Sequence, residues 1–154
     1  MHRHLLLVLL LPLLPACGGE PAGPRTHPAE GARVTVVAGR SGPVAVEVAD
    51  DDQERAVGLM RRAEVPAGTG MVFLYDAPST GRFYMFDVQV PLTAVFARGG
   101  RVVGVVDMPP CPRAQPQLCP TFGPDAPFDT VLETAPETLA GKVAVGDPLE
   151  VQRS

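Results

Sequence analysis

Apolar residues alternate with polar or small ones along Arg33–Ala38 (RVTVVA) and Val44–Ala49 (VAVEVA), with Gly39-Arg40-Ser41-Gly42-Pro43 between them. A period of two sends successive side chains to opposite faces of a strand, so this segment predicts a hairpin. Glu47 interrupts the apolar side of the second strand and is expected to face solvent. From Asp50 to Ala63 the period changes. Ala56, Leu59, Met60 and Ala63 recur at helical spacing, and Asp50 with Gln53 makes a capping-box-like start. Asp51, Asp52 and Glu54 sit at the favourable dipole end, with Arg61 and Arg62 at the other. A helix is expected over Asp50–Ala63, buried along that stripe, and the Asp50-Asp51-Asp52 triplet reads as its solvated start rather than a cation site. Gly58 inside it costs ~1 kcal/mol relative to alanine, which a close approach of another segment would explain.

Met71–Tyr75 (MVFLY) is a continuous apolar strand, and Arg82–Phe86 (RFYMF) an aromatic one. Val88–Arg98 follows, with Pro91 marking an edge, a bulge or a strand start. Gly99-Gly100 makes a two-residue hairpin turn into Arg101–Met108. Residues 109–127 carry seven prolines together with Cys111 and Cys119, a loop longer than compact domains tolerate without a function or a staple. Phe128–Ala135 is a strand, Pro136–Gly141 a short helical turn, and Pro148–Val151 a closing strand. Residues 55–96 hold four of the six Phe and both Tyr, so the aromatic core material centres there. Seven or eight strands and one real helix predict an α+β domain, mostly antiparallel β, forming a compact small barrel or sandwich with one short helix as a plug.

Composition narrows the class. Eighteen prolines and sixteen glycines in 154 residues favour short strands joined by turns over long helices. The length fits one domain, placed at residues 33–152. A net charge of −4 offers no footprint for nucleic acid or an anionic membrane surface.

Residues 1–16 (MHRHLLLVLLLPLLPA) pair a positive start at Arg3 with an apolar run from Leu5 to Leu14. That is a signal-peptide core, shorter than the ~20 residues of a resident bilayer span. Leu14-Pro15-Ala16-Cys17 resembles a bacterial lipobox, which implies Cys17 as the lipidated first residue of the mature protein. Ordinary secretion with cleavage nearby and an uncleaved anchor are the alternatives. Two acyl chains suffice for stable anchoring. Residues 17–32 then read as a Pro/Gly-rich tether, and the localisation expected is the extracytoplasmic side of the membrane.

An exported chain meets an oxidising compartment. Cys111 and Cys119 then read as a structural disulfide closing a short loop, worth ~2.6 kcal/mol in the chain-entropy model, with a soft-metal or redox pair as the alternative. His2 and His4 leave with the signal and His27 lies in the tether. A domain without histidine builds no His-ligated zinc site, Ser-His-Asp triad or Cys-His pair. Met60, Met71, Met85 and Met108 suggest Cu(I) at first sight, but methionine on apolar faces is ordinary core filler. No metal and no cofactor are expected.

Three blocks carry a resemblance: V-E-V-A-D with E-R-A-V-G-L-M-R-R at 46–62, G-M-V-F-L-Y at 70–75, and F-Y-M-F-D-V-Q-V-P-L-T-A-V-F at 83–96. V-L-E at 131–133 and G-D at 146–147 close the pattern. The chain resembles domain-of-unknown-function family 192 over residues 44–151, and the resemblance implies a compact, β-rich, often exported domain and no particular reaction. The third block usually reads Phe-Trp-Met, a basic or polar residue, Asn-Thr, then Pro-Leu-Asp. Here Tyr84, Phe86, Asp87, Val88 and Thr93 stand at the five differing places.

Asp87, Asp107 and Glu133 are the carboxylates in or beside apolar strands. Two of them converging in a cleft would suit acid–base or cation chemistry, while the plainer reading is hydrogen-bonded or surface groups at strand ends. Arg55 is placed to pair with one of them, and Tyr84 is the further binding candidate. The leading functional reading is a non-enzymatic accessory or binding domain at the cell envelope, tethered by its lipid and taking an envelope partner or small ligand. The alternative is a carboxylate-dependent enzyme acting on an envelope carbohydrate. Intact mass of the protein extracted from membranes is expected to show diacylglyceryl at Cys17, with Cys111 and Cys119 alkylated only after reduction. An unmodified soluble species with two reactive thiols would contradict both assignments.

Overall fold

The computed structural model describes residues 33–152. The expected signal core, Cys17 and the expected tether lie outside the described residues. In chain order the elements are β1 (Arg33–Ala38), β2 (Val44–Ala49), α1 (Asp52–Val57), β3 (Thr69–Ser79), β4 (Phe83–Tyr84), β5 (Leu92–Arg98) and β6 (Arg101–Met108). A 3₁₀ turn (Pro116–Leu118), β7 (Thr121–Phe122), β8 (Phe128–Thr134), α2 (Pro136–Leu139) and β9 (Leu149–Gln152) follow. Seven strands form one sheet in the order β6-β5-β8-β3-β2-β1-β9, and β4 pairs with β7 in a separate ribbon.

Every pair in the large sheet is antiparallel except β2–β3. A parallel pair needs a crossover, and residues 50–68, which include α1, supply it. The sheet curls until its edge strands meet at one end. Arg101 bridges Pro148, the Val102 amide donates to the Asp147 carbonyl (2.9 Å), and the Leu149 amide donates to the Gly100 carbonyl (2.9 Å). The result is a small, mostly antiparallel, curled half-barrel, in line with the compact small barrel or sandwich expected from the strand pattern.

Side-chain parity divides the interior in two. Val36, Val46, Val72, Val95, Leu132 and Leu149 form an inner core within the curl. Met71, Phe73, Ala94, Phe96 and Val131 face the other way and pack with Leu59, Met85, Val88, Cys111 and Cys119 in an outer core. β3, β5 and β8 are thus covered on both faces, which is why they read as continuous apolar runs rather than alternations.

The outer layer consists of chain outside the large sheet, held down by aromatic contacts. Phe83 meets Phe73 (5.3 Å) and Phe96 (5.4 Å) edge to face and lies 6.2 Å from Phe128. These arrangements suit the ring quadrupoles and add to area burial. The segment expected as an aromatic strand of five residues is therefore a two-residue ribbon strand. It pairs with β7 because its rings are committed to the outer core and not to a place in the sheet. The cysteine loop covers the same face. Cys111 and Cys119 form a disulfide with Cα atoms 5.6 Å apart, and the Cys111 amide donates to the Met85 carbonyl (3.3 Å). Met71, Met85 and Met108 are buried, as core filler should be.

The helix is shorter than its period suggested. Its N-cap is Asp51, one residue later than expected. The Asp51 carboxylate accepts from the Glu54 amide (2.7 Å), and Glu54 accepts from the Asp51 amide (3.4 Å). It ends at Gly58, whose φ of +49° favours glycine, and a Cβ there would stand 3.3 Å from the Phe73 ring. Ala56 and Ala63 are exposed, and only Leu59 of the expected stripe is fully buried, because the chain has left the helix by then. β3 runs well past Tyr75, and β5 starts directly after Pro91.

Phe83→Ala is expected to lower unfolding free energy by about 2–4 kcal/mol in chemical denaturation. Leu118→Ala, at an exposed position in the cysteine loop, is expected to stay within about 0.5 kcal/mol of the parent. Equal small effects would remove Phe83 from its role as anchor.

Candidate functional site

Glu133 stands opposite Met71 on β3 and Ala94 on β5, so its side chain rises from the outer face near the centre of the sheet. On β3 the same parity brings Met71, Phe73 and Tyr75 to that face. Over it, the end of α1 and the β4 segment leave a pocket of about 120 Å³. That is comparable to the ~150 Å³ cavity that admits a benzene ring. Leu59, Phe73, Phe83 and Met85 make its apolar wall, and Arg55, Tyr75, Arg82, Tyr84 and Glu133 its polar complement.

The polar groups are unequally satisfied. The Arg55 guanidinium donates to the Leu74 carbonyl (2.7 Å) and the Asp52 carboxylate (2.7 Å), and lies 5.0 Å above the Tyr75 ring. Arg82 donates to the carbonyls of Thr121 (3.1 Å) and Gly123 (3.2 Å), which ties the pocket rim to β7. Glu133 is only 5% exposed and has no hydrogen-bond or ion-pair partner among the described residues. Burial away from any compensating cation pushes its carboxyl up to about 8, so at neutral pH it carries its proton. Burial also raises the Tyr75 phenol, opposed by the Arg55 charge and reinforced by Glu133 and Asp52, which places Tyr75 within electrostatic reach of both Arg55 and Glu133.

The other candidate carboxylates lie elsewhere. Asp87 has a φ of +58°, its carbonyl accepts from the Arg61 amide (2.7 Å), and its half-exposed carboxylate sits 3.6 Å from the Arg61 guanidinium. Aspartate tolerates that left-handed backbone, and the exposed pair adds little stability. Asp107 is exposed at the β6 edge and accepts from its cross-strand partner Thr93 (2.6 Å), which satisfies a buried hydroxyl. No two of the three carboxylates converge in this pocket, where Glu133 is the sole acidic lining group among the described residues. Arg55 pairs with Asp52 instead of any of them. Arg55, Tyr84 and Glu133 do come together.

Tyr75 and Arg82 are the pocket residues that the strand pattern passed over. The signal for Tyr75 was present: it is four residues after Met71 on one strand and so shares its face. Of the places where the third block departs from its usual reading, Tyr84 and Val88 line the pocket. Glu47 forms a two-pronged pair with Arg62 (2.6 and 2.7 Å) beside a second, more open depression. Among the described residues no group of three or more His, Cys, Asp or Glu is placed to hold a metal ion. No helix there is long and apolar enough to cross a membrane.

A carboxyl whose folded pKa exceeds its unfolded value binds more protons when folded, so its stability contribution is lost as pH rises between the two. Here that window runs from about 4.5 to about 8. Glu133→Gln is therefore expected to unfold at higher denaturant than the parent at pH 8, by ~2–4 kcal/mol, and to match it near pH 4. Parallel stability–pH curves for the two proteins would contradict a buried, proton-holding Glu133.

Residues 34–151 match DUF192, described as "Uncharacterized ACR". A crystal structure from Sinorhizobium meliloti, described as that of a proposed transcription regulator, is 26% identical and covers 77% of this chain and 92% of its own, with a TM-score of 0.65. A protein of unknown function from Novosphingobium aromaticivorans is 30% identical over 80% of this chain and 89% of its own, with a TM-score of 0.61. No curated protein matches the chain. With the match spanning nearly all of the described domain, and a shared fold in two solved relatives, the chain belongs to the DUF192 family.

Proposed function

We propose that this domain is a small-ligand-binding module, tethered through Cys17 to the extracytoplasmic face of a membrane. The carrying observation is the pocket between α1 and β4: an apolar wall with a few convergent polar groups, one of them the carboxyl of the largely buried Glu133, which opens to the pocket and has no protein partner among the described residues. Carboxyls perturbed by burial concentrate where a site binds or acts on a ligand. The lipobox-like run ending at Cys17 supports the tether. Glycoside cleavage by the usual route needs two carboxyl groups about 5–9 Å apart, and Glu133 stands as the single acidic lining group described. That favours binding over carbohydrate hydrolysis. The regulatory role proposed for the Sinorhizobium meliloti protein is not carried over, since a chain of net charge −4 lacks the basic footprint of nucleic-acid binding.

Protein-observed NMR with a set of small aromatic fragments is expected to move the amides of residues 57–60 and 82–85. Val57→Trp changes an exposed lining residue and fills the mouth without disturbing the core. It is expected to abolish those shifts at unchanged stability. Fragment shifts confined to other surfaces, or release of reducing sugar from purified envelope glycan, would overturn the binding reading.

A further inference from the structure

We infer that the ligand of this pocket is a small organic carboxylate with a short apolar body. Its anionic head would be held by Arg55, Tyr75 and Glu133, and its body would lie on Leu59, Phe73 and Phe83. This rests on the reading of the pocket as a ligand site and adds the ligand's chemical class.

The argument is a count of donors against acceptors. A guanidinium has five N–H groups, and Arg55 directs only two named bonds into the protein, to Leu74 and to the fully exposed Asp52. The half-buried Tyr75 hydroxyl makes no hydrogen bond among the described residues. Glu133, protonated at neutral pH, is a third donor without an acceptor. The three line one pocket, and Tyr75 is within electrostatic reach of the other two. A ligand carboxylate brings two oxygens with lone pairs for three donors, and charge-assisted bonds of this kind are the stronger ones.

Charge selects the same class. Arg55 and Arg82 line the pocket as permanent cations, and the one acidic lining group is uncharged at neutral pH. An ammonium ligand would sit beside two guanidinium groups with no carboxylate to receive it. An uncharged ligand would leave the positive field unanswered. The apolar wall then fixes the rest of the molecule, and the pocket's size holds that body to about one ring or a short aliphatic chain.

The test compares three probes of one shape and different charge on the whole protein: phenylacetate, phenethylamine and benzyl alcohol, titrated at millimolar concentrations by NMR. Phenylacetate is expected to bind at least about tenfold tighter than the other two. Its affinity is expected to fall as pH rises through about 8, where Glu133 ionises and repels the anion. Glu133→Gln keeps a donor and is expected to bind phenylacetate without that pH dependence. Tyr75→Phe is expected to weaken binding at least threefold with the fold intact, roughly the effect of one lost hydrogen bond. A preference for phenethylamine or benzyl alcohol, or an affinity flat across that pH range, overturns the carboxylate assignment and leaves the pocket a binding site. No shift in the pocket with any of the three overturns both readings.

Discussion

The outer layer of this domain hangs on the ring of Phe83. It stands edge to face against Phe73 and Phe96, beside Phe128, and so joins a two-residue strand to β3, β5 and β8 of the sheet. That strand has little backbone pairing of its own, only the short ribbon with Thr121–Phe122. The buried Met85 and Val88, the Arg61 amide bonded to the Asp87 carbonyl and the Cys111 amide bonded to the Met85 carbonyl hold the rest of residues 82–88 in place behind it. The pocket wall and the resting place of the cysteine loop both go with that segment. Site geometry here is thus a product of core packing, because the residue that seats the lid is also part of the wall.

The same covering explains the electrostatics. A glutamate in the middle of β8 would be an ordinary surface group if the outer face were open, since its neighbours Met71 and Ala94 carry no charge to perturb it. The layer built by α1, β4 and the cysteine loop takes water away from it and puts no cation in contact. Arg55 comes near, yet its bonds go to Leu74 and Asp52, and its charge is felt by Tyr75. The fold thereby lines one pocket with a proton-bearing acid and a permanent cation that do not compensate each other.

Much of the architecture was legible in the sequence because strand period, turn glycines and Pro91 act locally. The disulfide was legible because two cysteines so close together in a proline-rich loop have few readings. The parallel β2–β3 pair was not, since nothing in either strand declares its partner. The helix was over-read because Ala56, Leu59, Met60 and Ala63 keep helical spacing, while the actual stop, the Gly58 backbone against the Phe73 ring, is a long-range contact. Asp87, Asp107 and Glu133 looked alike along the chain. Only their neighbours separate them: an exposed arginine, a threonine across the strand, and a closed apolar layer. The carboxylate that became the pocket's was recognisable as a candidate, but its isolation from the other two was a property of the sheet.

The strand that opens the described domain is paired with the one that ends it: Thr35 faces Gln152 and Ala38 faces Leu149. During synthesis β1 is made first and waits beside an empty edge until the final strand emerges. The inner core around Val36 and Leu149 is therefore completed only when the whole of the described domain is available. Folding of the curl is a whole-domain event rather than a progressive one, and loss of β9 would expose β1 as an unpaired edge open to other chains. The converse also holds. Neighbouring ends of the domain can be joined and the chain opened at an exposed turn away from the β6–β9 seam, so the order of strands along the polypeptide is separable from the shape they build.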